Sequence, residues 1–108
     1  MLAMILATTL IAQEPAQAPA PIWRSRPFPE FPAKALADGV EGADVRLDCL
    51  LTTEGRFADC RVEVNSRPDY EFAKEALKAT ERARAVPREA DGVAVPGRVS
   101  FEIRFRLG

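Results

Sequence analysis

Histidine is absent from the sequence, so the chain lacks the side chain that most often serves proteins as a general base or a metal ligand. It also has only two cysteines, Cys49 and Cys60, whereas a zinc site needs about four ligands. Neither a Cys-x-x-Cys motif nor a histidine is present to activate a thiol. We therefore expect a protein that is not an enzyme, with no catalytic residue, no metal site and no cofactor.

An excess of charge of either sign is also missing. Fifteen lysines and arginines stand against 16 aspartates and glutamates, which leaves a net charge of −1. Domains that bind nucleic acid or anionic membranes through bulk charge are strongly basic. We therefore expect no nucleic-acid partner.

The chain has no apolar run long enough to cross a bilayer, which takes about 20 residues. Its N-terminal segment MLAMILATTLIA suits the core of a secretory signal, and Ala16-Gln17-Ala18 supplies the small-x-small pattern of a cleavage site. We predict a signal peptide over residues 1–18 and export of the rest. No lysine or arginine precedes the apolar run, so the alternative is a true start that lies upstream.

A proline-rich tether follows the predicted signal, over residues 19–30. Six of the nine prolines lie between Pro15 and Pro32, and proline fixes φ and removes a backbone donor. This composition predicts an extended segment, without regular helix or sheet, that contacts the domain only at its end. Because Trp23 and two phenylalanines are unusual in a linker, we expect some of these aromatic rings to pack on the domain.

The remaining residues, 31–108, suffice for one domain. Proline at the first turn and glycine at the end predict a short helix over 32–39. Alternating apolar residues predict a hairpin with one buried face, and helical spacing then predicts a longer helix that Ser66 caps and Pro87 ends. Strict alternation predicts a last strand. The three predicted strands cover 45–51, 58–64 and 98–107.

The order of these elements predicts an α+β fold. The long helix carries the chain back across the sheet, so the last strand pairs best with the first strand of the hairpin. We predict a three-stranded antiparallel sheet in the order 2-1-3, with a short and a long helix packed on one face. The last strand then lies at an edge of the sheet.

The two cysteines lie on opposite strands of the predicted hairpin. A turn centred on Glu54-Gly55 pairs residues whose numbers sum to 109, which puts Cys49 opposite Cys60 on the core face. Directly opposed residues are within reach of a disulfide. Two buried reduced side chains are the alternative, but export favours the bridge.

An ordered set of segments resembles the C-terminal domain of the TonB energy transducers, over about residues 28–107. The first segment contains an aromatic-proline pair, a helix that ends in glycine, and a strand. A turn with Gly-Arg and a second strand follow, then a helix, and then Asp-Gly before a last strand. The segments are FPEFPAKALADGVEGADVRLDCLL, TEGRFADCRVEV, FAKEALKATERARAVP and DGVAVPGRVSFEIRFRL.

The resemblance implies a periplasmic module that binds an extended peptide, the TonB box of an outer-membrane receptor, by adding it as a strand to the last strand. An exposed edge strand offers unpaired backbone groups to such a peptide. Carried over residue by residue, the implied partner-binding positions lie on the last strand and on the segment around the aromatic-proline pair. They are Val99, Ser100, Phe101, Glu102, Ile103, Arg104, Phe105 and Arg106, and Pro27, Phe28, Pro29, Glu30 and Phe31.

The chain departs from the family pattern at its N-terminus. Family members usually carry a membrane helix that couples to an inner-membrane motor, so the resemblance implies an anchorless or truncated member whose coupling to the motor is in doubt. An upstream start would instead imply an inner-membrane anchor. The alternative function is a self-associating structural or regulatory envelope domain, a homodimer that uses the same edge strand. A redox enzyme is the least favoured of the three.

Overall fold

The computed structural model describes residues 18–107. The predicted signal peptide therefore lies outside the described residues, except for Ala18. Within 18–107, no helix has the length and apolar character needed to cross a membrane.

The described chain alternates short helices with strands. The helices are α1 (Ala33–Ala37) and α2 (Phe72–Thr80), and the strands are β1 (Trp23–Ser25), β2 (Gly42–Leu51), β3 (Phe57–Asn65), β4 (Arg84–Ala85), β5 (Arg88–Ala90), β6 (Val93–Val95) and β7 (Gly97–Arg106).

The main sheet has three antiparallel strands in the order β3-β2-β7. This order confirms the predicted arrangement, in which the last strand pairs with the first strand of the hairpin. The ladder between β2 and β7 runs from Gly42 opposite Arg106 to Leu51 opposite Gly97 without a register shift. As predicted, β7 lies at an edge of this sheet.

The core lies between the main sheet and the helices. Alternate residues of β2 and β7 are buried because successive side chains of a strand point to opposite faces. Phe72 of α2 is fully buried and packs edge-on against Phe105 with ring centroids 5.0 Å apart. The buried strand residues are Ala43, Val45, Leu47, Cys49 and Leu51 on β2 and Val99, Phe101, Ile103 and Phe105 on β7.

A disulfide joins Cys49 of β2 to Cys60 of β3, which confirms the predicted bridge. The predicted register holds in the middle of the hairpin, where Leu47 lies opposite Val62, and shifts on both sides of it. Asp59 has a φ of 45°, next to one of these shifts.

The predicted burial of the second hairpin strand is wrong. Val62 is 39% exposed and Val64 is 53% exposed. The register shift puts Val64 opposite Arg46, a residue of the polar face, and β3 is the edge strand farthest from β7. Alternation in sequence therefore continues in β3 without matching burial.

The long helix begins later than predicted. Ser66 does not cap it, because the Ser66 hydroxyl instead accepts the backbone N–H of Asp44 at 2.8 Å. Helix α2 begins at Phe72 and ends at Thr80, and the chain then forms the short strands β4, β5 and β6, which the sequence pattern did not predict.

The proline-rich segment contacts the domain well before its end, contrary to the prediction. Its residues 18–25, the N-terminal strap, include strand β1, which pairs with β4. Pro21 is buried, and Trp23 packs its ring 5.0 Å from that of Phe101 and 5.3 Å from that of Phe57. The packing of Trp23 confirms the expectation that some aromatic rings of this segment contact the domain. The large apolar area of its ring favours docking of the strap.

Candidate functional site

Strand β7 presents backbone hydrogen-bonding groups at the free edge of the main sheet. The N–H of Ser100 points outward, where it donates to the carbonyl oxygen of Pro19 at 3.0 Å. The N–H of Leu107 points inward and donates to the carbonyl oxygen of Glu41 at 3.0 Å. Because backbone groups alternate in direction along an antiparallel strand, the N–H and C=O groups of Glu102 and Arg104 also point outward. Among the described strands, only β2 lies beside β7.

The side chains of β7 also alternate in direction from one residue to the next. Phe101 and Ile103 point into the core, whereas Glu102, Arg104 and Arg106 are exposed on the other face. Ser100 is the exception, since it lies on the outer face and is only 2% exposed. The edge can therefore offer backbone groups without losing core packing.

A groove of about 310 Å³ runs between this edge and residues 23–29 of the proline-rich segment. One wall is formed by the edge strand and the other by the proline-rich segment. The groove brings together four of the predicted partner-binding positions of β7 with two of those on the segment. Its lining residues are Phe101, Glu102, Ile103 and Arg104 on one side and Trp23, Arg26, Pro27 and Pro29 on the other.

Several predicted positions lie outside this groove. Phe28 and Glu30 line a second hollow of about 240 Å³ against the end of α2, and Phe28 is 87% exposed. Phe31 packs in the core, with its ring 5.3 Å from that of Phe72. Its side chain packs against the core and does not line the groove.

Three predicted positions near the ends of β7 have side chains that make contacts within the domain. Val99 and Phe105 are buried in the core. Arg106 contacts a carboxylate oxygen of Asp44 at 2.8 Å, on the neighbouring strand. A partner therefore cannot reach the side chains of Val99 and Phe105, whereas Arg106 stays exposed beside its contact with Asp44.

The positive and negative side chains along the groove do not balance. Arg104 contacts Glu102 at 2.8 Å, and this hydrogen bond raises the pKa of the Arg104 guanidinium. Arg26, on the opposite wall, makes no ion pair with any residue between 18 and 107. The groove therefore carries one positive charge that its own walls do not neutralise.

The outer face of the sheet carries a cluster that holds the three strands together. The Arg98 guanidinium contacts the carboxylates of Asp48 at 2.6 Å and Asp59 at 3.0 Å, and their backbone oxygens at 3.0 and 3.1 Å. Burial opposes the charge of Arg98, but hydrogen bonds to the two carboxylates outweigh it and raise the pKa of Arg98. The cluster therefore fixes the start of β7 on the hairpin.

Within 18–107, no three histidine, cysteine, aspartate or glutamate side chains lie close enough together to hold a metal ion. The groove offers backbone amides, apolar side chains, two guanidinium groups and one carboxylate. Such an arrangement can bind an extended peptide.

Two groove residues were missed as site residues by the sequence analysis. Trp23 is conspicuous in a proline-rich segment, where packing on the domain is favoured over a role as a partner anchor. Arg26 is one of many arginines, and no pattern in the sequence distinguishes it. Its position follows only from the docking of the strap.

Comparison with known proteins gives a consistent result. The family model described as "Gram-negative bacterial TonB protein C-terminal" matches residues 27–107. The solution NMR structure of the Pseudomonas aeruginosa TonB CTD is 28% identical, with a TM-score of 0.58, over 76% of this chain and 85% of that one. The TonB2 protein from Vibrio anguillarum is 25% identical, with a TM-score of 0.56, over 100% of this chain and 99% of that one. No curated protein matches the chain significantly.

Proposed function

Because this chain belongs to the family of Gram-negative bacterial TonB C-terminal domains, we propose that it binds an extended segment of an outer-membrane receptor by adding that segment as a strand to β7. The family match confirms the resemblance predicted from the sequence. The family is known for transport-related interactions in the cell envelope. Strand addition to β7 is our proposal for how this member makes them.

The observation that carries the proposal is the direction of the backbone groups on β7. The N–H and C=O groups of Glu102 and Arg104 point away from β2, into the groove. An extended peptide satisfies such groups with its own backbone, which gives affinity without regard to sequence.

The groove walls supply the specificity. Side chains of an added strand alternate in direction, so every second one faces the core side of the sheet. On that side lie Trp23, Pro27 and Pro29, which favour an apolar peptide side chain. Arg26 favours an acidic side chain, because its charge is not neutralised by the walls of the groove.

The domain also holds the edge rigid before a partner arrives. The disulfide and the Arg98 cluster fix β2, β3 and β7 relative to one another. A preorganised edge loses less conformational entropy when it binds. These features support binding rather than catalysis.

We also propose that the domain acts in the periplasm after export. A disulfide forms and persists in an oxidising compartment, and the Cys49–Cys60 bridge suits the periplasm. The partner is then the periplasmic face of an outer-membrane receptor. Cell fractionation tests this location, and recovery of the oxidised protein in the cytoplasm alone would contradict it.

Chemical-shift mapping tests the proposed binding mode. Titration of the isotope-labelled protein with a peptide from the periplasmic segment of a receptor should shift the amides of Glu102 and Arg104 most strongly. Shifts confined to β3 or to the exposed face of α2 would overturn the assignment to β7. A concentration-dependent dimer whose interface maps to β7, with no response to the peptide, would favour self-association instead.

A further inference from the structure

The first half of the free edge of β7 is already occupied by the chain itself. The outward N–H of Ser100 donates to the carbonyl oxygen of Pro19 at 3.0 Å. The carbonyl oxygen of Arg98 accepts a hydrogen bond from the Arg88 guanidinium at 3.3 Å. Because backbone groups of alternate residues share a direction, both contacts lie on the side where a partner strand would add.

The strap is held at several points, so its contact with Ser100 is part of the fold. Pro21 is buried, the N–H of Val86 donates to the carbonyl oxygen of Ile22 at 2.8 Å, and Trp23 lies opposite Ala85. Pro19 has no N–H, but its carbonyl oxygen can still accept a bond from an edge strand.

We propose that the strap is an end-stop for the partner strand, which confines pairing to the part of β7 from Glu102 to Arg106. The occupant that fits this surface is a short extended peptide of about five residues, with alternate apolar side chains. The inference rests on the proposed function, because it specifies the footprint of the same partner. It goes beyond the family match, since the strap precedes the matched residues 27–107.

The end-stop has a consequence for peptide length. A peptide that reaches Ser100 must displace Pro19, so one backbone hydrogen bond is exchanged for another and the added residues bring no affinity. Loosening the strap removes this competition. A longer peptide then gains one uncontested hydrogen bond, equivalent to roughly a two- to tenfold increase in affinity.

A pair of matched variants distinguishes loosening of the strap from damage to the rest of the domain. Pro21 is buried and Ala20, its neighbour, is exposed. Pro21→Glu puts a charge where the strap docks, which disfavours docking, whereas Ala20→Glu adds the same charge in solvent. The amide of Leu47, in the middle of β2, reports in each variant whether the sheet remains folded.

Amide hydrogen exchange of the full chain is the first measurement, and it needs no partner. The amide of Ser100 should exchange slowly in the unaltered chain and in Ala20→Glu, and faster in Pro21→Glu, while that of Glu102 exchanges quickly in all three. Exchange of Ser100 as fast as that of Glu102 in the unaltered chain would overturn the proposal.

The second measurement uses capped peptides of five and nine residues in which valine alternates with threonine or glutamate. We expect the dissociation constants of the two peptides for the unaltered chain to agree within twofold. For Pro21→Glu, the longer peptide should bind two- to tenfold more tightly than the shorter one. A clear advantage of the longer peptide in the unaltered chain would contradict the end-stop. If neither peptide, nor any receptor peptide, binds any variant, the proposed function fails. The inference about the footprint of a partner strand then fails too. Exchange at Ser100 still decides whether the strap closes the edge.

Discussion

The guanidinium of Arg98 lies 2.6 Å from a carboxylate oxygen of Asp48, on the strand next to its own. The same group reaches Asp59 on the third strand at 3.0 Å. Both Arg98 and Asp48 are partly buried, with side chains 32% and 24% exposed, so solvent screens their contact less than an ordinary surface pair. One side chain of β7 therefore ties the sheet together beside the disulfide.

Replacement of Arg98 should destabilise the domain. Arg98→Ala leaves Asp48 without its charged partner, and we expect a loss of about 1–3 kcal/mol in the free energy of unfolding. Urea denaturation measures it. Arg61→Ala is the matched control, because Arg61 also contacts Asp59 but its side chain is 72% exposed, and it should cost at most about 0.5 kcal/mol. Equal effects of the two substitutions would contradict the importance of the Arg98 cluster.

Removal of the disulfide should destabilise the domain further. The two cysteines are 11 residues apart in sequence, and closing a loop of this size stabilises a protein by roughly 3 kcal/mol in the chain-entropy model. The variant Cys49→Ala/Cys60→Ala should lose about that amount of unfolding free energy in urea denaturation. The unaltered protein should approach the stability of the variant when reductant is added.

The presence of the bridge has its own test. Mass spectrometry of the protein purified without reductant should show an oxidised pair, and two free thiols would refute the bridge.

The contact between Tyr70 and Asp38 should make stability depend on pH in the acid range. The Tyr70 hydroxyl donates to the Asp38 carboxylate at 2.8 Å, and this bond, together with the one from Lys34, lowers the pKa of Asp38. A carboxyl whose pKa is lowered by folding stabilises the protein above its unfolded pKa, about 3.9, and this contribution is lost as the pH falls through the folded value.

Tyr70→Phe removes the hydrogen bond and is the test of this dependence. The difference in unfolding free energy between the unaltered protein and Tyr70→Phe should be constant from about pH 5 to 7 and shrink below about pH 4. At the alkaline end, folding raises the pKa of Tyr70, first through its bond to Asp38, so the difference should also shrink as the pH rises through that pKa. A difference that does not change with pH would contradict the assignment.

The charge of Arg26 should favour acidic peptides. Arg26→Ala should weaken binding of a peptide that carries one glutamate or aspartate by roughly two- to fivefold, and less at high salt. Arg24→Ala is the matched control, since Arg24 is exposed two residues away and does not line the groove. Equal losses in the two variants would show that only general charge attraction is involved.

The fold could be predicted because local and global signals agree in most of the domain. The alternation around Phe101 continues through β7, and the whole of that strand pairs with β2 without a shift. The hairpin could be predicted less well, because a register shift depends on backbone conformation, such as the positive φ of Asp59, which alternation does not report. The burial of Val64 was mispredicted because of the other shift, between Arg46 and Leu47, which puts it opposite a residue of the polar face.

The candidate site could be predicted only in part. The edge position of β7 follows from chain order, and the resemblance to the TonB C-terminal domains then implies its partner-binding residues, Glu102 and Arg104 among them. The other wall could not, because the pattern of prolines reports only the lack of backbone donors and says nothing about where Pro19 or Pro21 docks. Arg26 reaches the groove through that docking, which is a tertiary contact without a sequence period.

Proline at an outward position of β7 is the sharpest test of strand addition at this edge. The N–H of Glu102 points into the groove, so Glu102→Pro removes a donor that a partner strand needs and no bond to β2. Glu102→Ala is the control for loss of the side chain, and Arg104→Pro repeats the test at the next outward N–H.

Binding of a receptor peptide should be measured by calorimetry beside the thermal midpoint of each variant. We expect both proline variants to remain folded, and Glu102→Pro to bind at least roughly fivefold more weakly than Glu102→Ala, as loss of a backbone hydrogen bond implies. Folded proline variants that bind the peptide as tightly as Glu102→Ala would contradict strand addition at β7.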